Sequence, residues 1–91
     1  SSIIGVFEIS RGTVAASLLS AREILIRMLI VGATHFLICH NHPSGDCTPS
    51  RNDIAVTDRL IEGSGIFSIE LCDHIIIGDN EYYSFYENKL I

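Results

Sequence analysis

The segment from Thr34 to Asp53 constrains the fold of this chain more than any other. Thr34 to His40 is short, apolar and aromatic, the signature of a buried strand. A polar loop, Asn41 to Cys47, follows, with Pro43 and Gly45 as breakers. Thr48-Pro49 then opens a helix, with proline suited to the first helical position, and Ser50-x-x-Asp53 offers a second cap. A buried strand passing through a tight loop into a helix belongs to a layered arrangement of sheet and helix.

The flanking sequence extends this pattern. Ile3 to Ile9 is apolar and β-branched and reads as a strand, ended by Gly12. Ser20-Ala21-Arg22-Glu23 fits a capping box, so a helix is expected from Ala21 to Val31, with Gly32 as its stop. The second helix should carry Ile54, Val56, Thr57, Leu60 and Ile61 and end near Gly63. Ile66 to Cys72 and His74 to Ile77 read as strands, Gly78 to Glu81 as a turn and Tyr82 to Phe85 as a returning strand. A final helical turn is expected near Tyr86 to Leu90. The order β-α-β-α-β-β-β predicts one domain over residues 1–91, of the α/β (α+β) class, with a mixed sheet flanked by helices.

Composition narrows the function classes. The net charge is −5 and no Lys/Arg stripe is present, so unaided nucleic-acid binding has little electrostatic support. Cys39, Cys47 and Cys72 form no CxxC pair and no even framework, which favours a reducing, cytoplasmic setting. The most apolar run, Ile24 to Ile38, is broken by Arg27, Gly32 and His35 and predicts no membrane span.

The chemistry lies in the spacing H-x-H-x7-S-x2-D, formed by His40, His42, Ser50 and Asp53. Residues i and i+2 of a strand share a face, so the two imidazoles can converge at the strand end. Asp53 enters from the first turns of the next helix. Two histidines and one carboxylate suit Zn2+ with a fourth position left for water. The Ser50 hydroxyl, one turn before Asp53, can donate to an oxyanion on a scissile carbonyl. The competing reading makes Ser50 and Asp53 a helix cap and nothing more.

On these residues, His40-Asn41-His42-Pro43-Ser44-Gly45-Asp46 with Thr48-Pro49-Ser50 and Asp53, the chain resembles the JAMM motif of the JAB/MPN metalloprotease superfamily, in its bacterial RadC-type branch. Arg11-Gly12-Thr13 ahead of Arg22-Glu23-Ile24 matches that branch too. So does Asp73-His74-Ile75-Ile76-Ile77-Gly78 with Tyr83-Ser84-Phe85. The resemblance implies a JAB/MPN-like (cytidine deaminase-like) fold, His40, His42 and Asp53 as zinc ligands, and Ser50 as the residue that steadies the tetrahedral intermediate. It also implies hydrolysis of a peptide or isopeptide bond in a peptide or protein substrate. The branch's association with DNA repair supplies the alternative, a non-catalytic interaction module in DNA metabolism.

The resemblance also exposes departures. The family mechanism needs a glutamate general base, which the branch places on a strand ahead of the region matching Ser1. The chain therefore reads as an N-terminally truncated domain, and Glu8 is the in-chain candidate base. Glu23 competes for that role with its place in the capping box. A missing strand would leave a sheet edge for a homodimer to cover. Cys47 stands where the branch usually has proline and is either a fourth, soft ligand or a loop thiol. His74 reads as a structural partner of Asp73 in preference to a group that orients a ligand. Tyr82, Tyr83, Phe85 and Tyr86 divide between a substrate groove and the core. A base deaminase would need a His/Cys/Cys set and an H-x-E element, and the residue two after His40 is His42.

Overall fold

The computed structural model describes residues 11–15, by their backbone, and residues 20–91. The strand expected at Ile3 to Ile9, and Glu8 with it, lie outside the described residues. Six elements follow in order: β1 (Arg11–Ala15), α1 (Ala21–Val31), β2 (His35–Asn41), α2 (Arg51–Ile66), β3 (Glu70–Ile77) and β4 (Tyr82–Ser84). Gly12 sits inside β1 and does not end a strand.

The four strands form one mixed sheet in the order β1-β2-β3-β4. β1, β2 and β3 are parallel, and β4 returns antiparallel on β3. Parallel neighbours need crossover helices, which α1 and α2 supply. Both crossovers step the same way across the sheet, so a common handedness places both helices on one face. There Ile24 and Met28 of α1, Leu60 of α2, Phe36 and Ile38 of β2, and Leu71 of β3 form the core.

α1 begins and ends where its local chemistry dictates. The Ser20 hydroxyl accepts from the Glu23 N–H, the Glu23 carboxylate accepts from the Ser20 N–H, and Gly32 closes the helix with a left-handed φ of 71°. α2 departs from expectation at both ends. Of the two caps the sequence offers, Ser50 is the one used, because a reciprocal box joins it to Asp53; Pro49 precedes the helix and is not its first residue. Gly63 does not stop it. A Cβ there would lie 3.1 Å from Leu25 Cδ2, so this glycine lets the two helices approach, and α2 runs on to Ile66.

The two strands expected across 66–77 are one, β3, with a bulge. Phe36 pairs with Leu71 but Leu37 with Asp73, so Cys72 is the extra residue. The bulge reverses the alternation after Leu71 and turns His74 and Ile76 to the helix-covered face. The closing segment after β4 is a run of hydrogen-bonded turns; Asn88 N–H donates to the Ser84 carbonyl at 3.2 Å with the spacing of one helical turn, and no helix continues from it.

Candidate metal centre

The site forms where the carboxyl end of β2 meets the amino end of α2. Strand alternation turns Phe36, Ile38 and His40 to the helix side. The ladder continues one residue past β2, where His42 N–H donates to the Ile77 carbonyl at 3.1 Å. His42 therefore follows His40 onto the same face, their ring centroids 5.0 Å apart. The buried stripe of α2 is Asp53, Thr57, Leu60 and Ser64. Its first two members are polar: Asp53 faces the two histidines, and Thr57 faces His74 of β3.

His40, His42 and Asp53 each bring one ligand atom into a group lying within 4.8 Å, so the three could hold a metal ion. Asp53 Oδ1 is 3.3 Å from His40 Nε2, and Asp53 Oδ2 is 3.0 Å from His42 Nε2. Ligands about 2 Å from a tetrahedral zinc stand about 3.3 Å apart, which these separations match. His42 Nδ1 lies 2.8 Å from the Asp46 carbonyl. A carbonyl only accepts, so Nδ1 carries a proton, and Nε2 is the nitrogen turned toward the carboxylate. A proton on Nε2, or a metal ion in its place, satisfies this contact, so the donor set fits a cation.

Asp53 is positioned by its own helix. Ser50 N–H donates to Oδ2 at 2.7 Å, and the Asp53 N–H donates to Ser50 Oγ at 3.0 Å. Burial works to raise the Asp53 carboxyl, but the Ser50 hydrogen bonds and the adjacent His40 and His42 outweigh it and hold the group below the ordinary carboxylate range. Burial, opposed by Asp53, lowers His40 from the usual histidine value. Ser50 is thus both the cap and a neighbour of the site. Its oxygen accepts from the Asp53 N–H, and its hydroxyl also hydrogen-bonds the Asp53 carboxylate.

His74 proves to be part of the site. Its Nε2 lies 3.0 Å from His40 Nδ1, its Nδ1 lies 2.6 Å from Thr57 Oγ1, and its ring stacks on Phe85 with centroids 4.6 Å apart. Burial, followed by the charge of His40, pushes it down to about 4. Asp73 does hold the His74 backbone N–H, as the pairing of the two suggested, but the imidazole turns the other way. Thr57 was missed altogether. Its signal was the helical spacing of four from Asp53, which puts both on one face.

The remaining candidates separate clearly. Cys47 is not among the clustered ligands; it is buried against Ile76 and Phe85, so it is neither a fourth ligand nor an exposed thiol. Glu23 serves the α1 cap. Cys39 is half-buried and outside the core cluster. Phe85 is buried, while Tyr82 and Tyr86 are exposed. No helix among the described residues is long and apolar enough to cross a membrane.

Comparison with known proteins agrees with this geometry. A family model described as RadC-like JAB domain matches residues 1–90. The chain is 46% identical over 89 residues to a UPF0758 protein of Alkaliphilus oremlandii, covering 98% of this chain and 38% of that protein. It is 45% identical over 89 residues to one of Clostridioides difficile, with the same coverage. It is also 45% identical over 83 residues to one of Methanococcoides burtonii, covering 91% of this chain and 36% of that protein. The chain thus spans well under half the length of the curated relatives it matches. With its sheet order, its helix-capped carboxylate and its paired histidines accounted for, the chain belongs to the RadC-like JAB domain family.

Proposed function

We propose that this domain is a zinc-dependent hydrolase that cleaves a peptide or isopeptide bond. The observation that carries the reading is the convergence of His40 Nε2, His42 Nε2 and the Asp53 carboxylate on one point. Both Nδ1 atoms are engaged elsewhere, which leaves both Nε2 atoms for a metal. Two nitrogens and one carboxylate suit zinc and leave a fourth position free. When bound there, zinc supplies a Lewis acid that lowers the pKa of water to about 7 and polarises a carbonyl.

This chain's residues have distinct tasks. His40 and His42 offer neutral nitrogen donors in fixed orientations. Asp53 offers negative charge and is held by the Ser50 N–H. The Ser50 hydroxyl, whose oxygen accepts from the Asp53 N–H, would turn its proton from the Asp53 carboxylate to the oxyanion that forms as water adds to the carbonyl carbon. Hydrolysis requires a base to take the water's proton and deliver it to the departing amine as the C–N bond breaks. Glu8 is the base proposed from within this chain, the alternative being a glutamate ahead of Ser1.

Ser50→Ala in the intact protein separates chemistry from binding. Zinc content should be unchanged, and hydrolysis should fall by about 10²–10³-fold in kcat. Full activity in that variant contradicts the role given to Ser50.

A further inference from the structure

The hydrogen bonds behind His40 run in one direction, and the direction follows from the donors. The Asp53 backbone carbonyl can only accept, so Thr57 Oγ1, 2.8 Å away, gives it its single proton. The contact between Thr57 Oγ1 and His74 Nδ1 must then be carried by a proton on His74 Nδ1. A neutral His74 with that proton has a bare Nε2, and the contact with His40 needs a proton on His40 Nδ1. His40 is left with a bare Nε2, the atom nearest Asp53 Oδ1. All four groups are buried, with exposures of 9% or less, so solvent does not substitute for a missing partner.

We infer that Thr57 and His74 are positioning residues that fix the Nδ1–H tautomer of His40, so that the helix carrying Asp53 also sets the metal-binding nitrogen of the strand opposite. The inference rests on the metal-site reading above and deepens it. Histidine ligands depend on such partners, which set tautomer and ring orientation. Here the partner is another histidine, which can accept from His40 only because Thr57 holds its far nitrogen as a donor. The β3 bulge makes this pairing geometrically available. Were the same sequence to run through β3 without a bulge, the alternation from Leu71 would turn Asp73, not His74, to the site face. An acid in that place would accept from His40 but would add a second negative charge beside Asp53. His74 keeps the relay neutral.

The test uses the intact protein with His74→Phe, His74→Gln, Thr57→Val and Thr57→Ser. Zinc affinity is measured by chelator competition, and the His40 tautomer by 15N NMR of the metal-free protein near about pH 8, above the usual histidine range. In the parent protein His40 should be the Nδ1–H tautomer. His74→Phe and Thr57→Val should each mix or reverse it and weaken zinc binding by about 10- to 100-fold. His74→Gln keeps an acceptor toward His40 and Thr57→Ser keeps the hydroxyl, so both should retain most of the affinity. A residue that mattered only for packing would give no such split between Val and Ser at position 57. Should His74→Phe fail to fold, the Thr57 pair decides. An Nε2–H tautomer of His40 in the parent protein overturns the inference, as does unchanged zinc affinity in both His74→Phe and Thr57→Val. A parent protein that binds no zinc, yet has the Nδ1–H tautomer and loses it in Thr57→Val, upholds the inference and sinks the metal reading alone.

Discussion

The two histidines of the site are held in opposite ways. His42 belongs to a loop that organises itself locally. Its Nδ1 meets a carbonyl four residues on, Gly45 N–H donates back to the His42 carbonyl at 2.9 Å, and Asp79 N–H docks the loop on the turn after β3 at 2.8 Å. His40 is held from the interior by His74 and Thr57. Its bond to His74 spans 34 positions in sequence, and the next bond in the relay spans 17. The loop side depends on backbone, glycine geometry and a carbonyl, and it borders solvent. The core side depends on side chains, burial and strand register. One ligand can therefore be disturbed without the other, and the two sides should respond to different perturbations.

Acid should act first on the core side. His74 titrates at about 4 in the folded chain, against an ordinary value of 6.5. The unfolded chain therefore takes up this proton first as pH falls. The stability due to keeping His74 neutral is intact above about 6.5 and is lost progressively toward about 4, by at most on the order of 3 kcal/mol. The lowered values of His40 and Asp53 act in the same sense. Denaturant unfolding of the zinc-free protein across this window should show the decline, and His74→Phe should flatten it. Equal slopes in the two proteins would break the distinction between the sides.

Steric crowding should act on the loop side. A Cβ on Gly78 would lie 2.3 Å from the Gly45 carbonyl oxygen, a backbone atom that can yield only if the loop shifts. Gly78→Ala should cost about 2 kcal/mol, seen as a fall in Tm of roughly 8–16 °C. It should also weaken zinc binding through His42 while leaving the His40 tautomer unchanged. A tautomer change in this variant would show that the sides are coupled. The smallest effect is expected far from both. Ser20→Ala removes the α1 cap and should cost about 1 kcal/mol in thermal unfolding without altering zinc affinity.

The same contrast explains what could be read in the sequence. α1 was legible to the residue, because Ser20, Glu23 and Gly32 act on their own backbone neighbours. The convergence of His40, His42 and Asp53 is legible because a strand period of two, a breaker loop and a helix cap are all local. The start of α2 is legible only as a choice, because Pro49 and Ser50 both carry initiation signals; Ser50 prevails because it has the Asp53 carboxylate to complete a reciprocal box. Gly63 gave the signal of a helix stop, yet its role is set by Leu25 of the other helix. His74 and Thr57 were out of reach for a similar reason. Their meeting depends on a one-residue bulge in a parallel pairing, and no local propensity announces it. Alternation counted straight through 66–77 puts the wrong residue at the site.

The central claim is that His40, His42 and Asp53 hold zinc. Elemental analysis of the purified intact protein, with His42→Ala as the control, tests it most directly. About one zinc per chain in the parent and none in the variant is the expected result. No zinc in either, even after reconstitution, contradicts the claim and favours a role as an interaction module without metal chemistry.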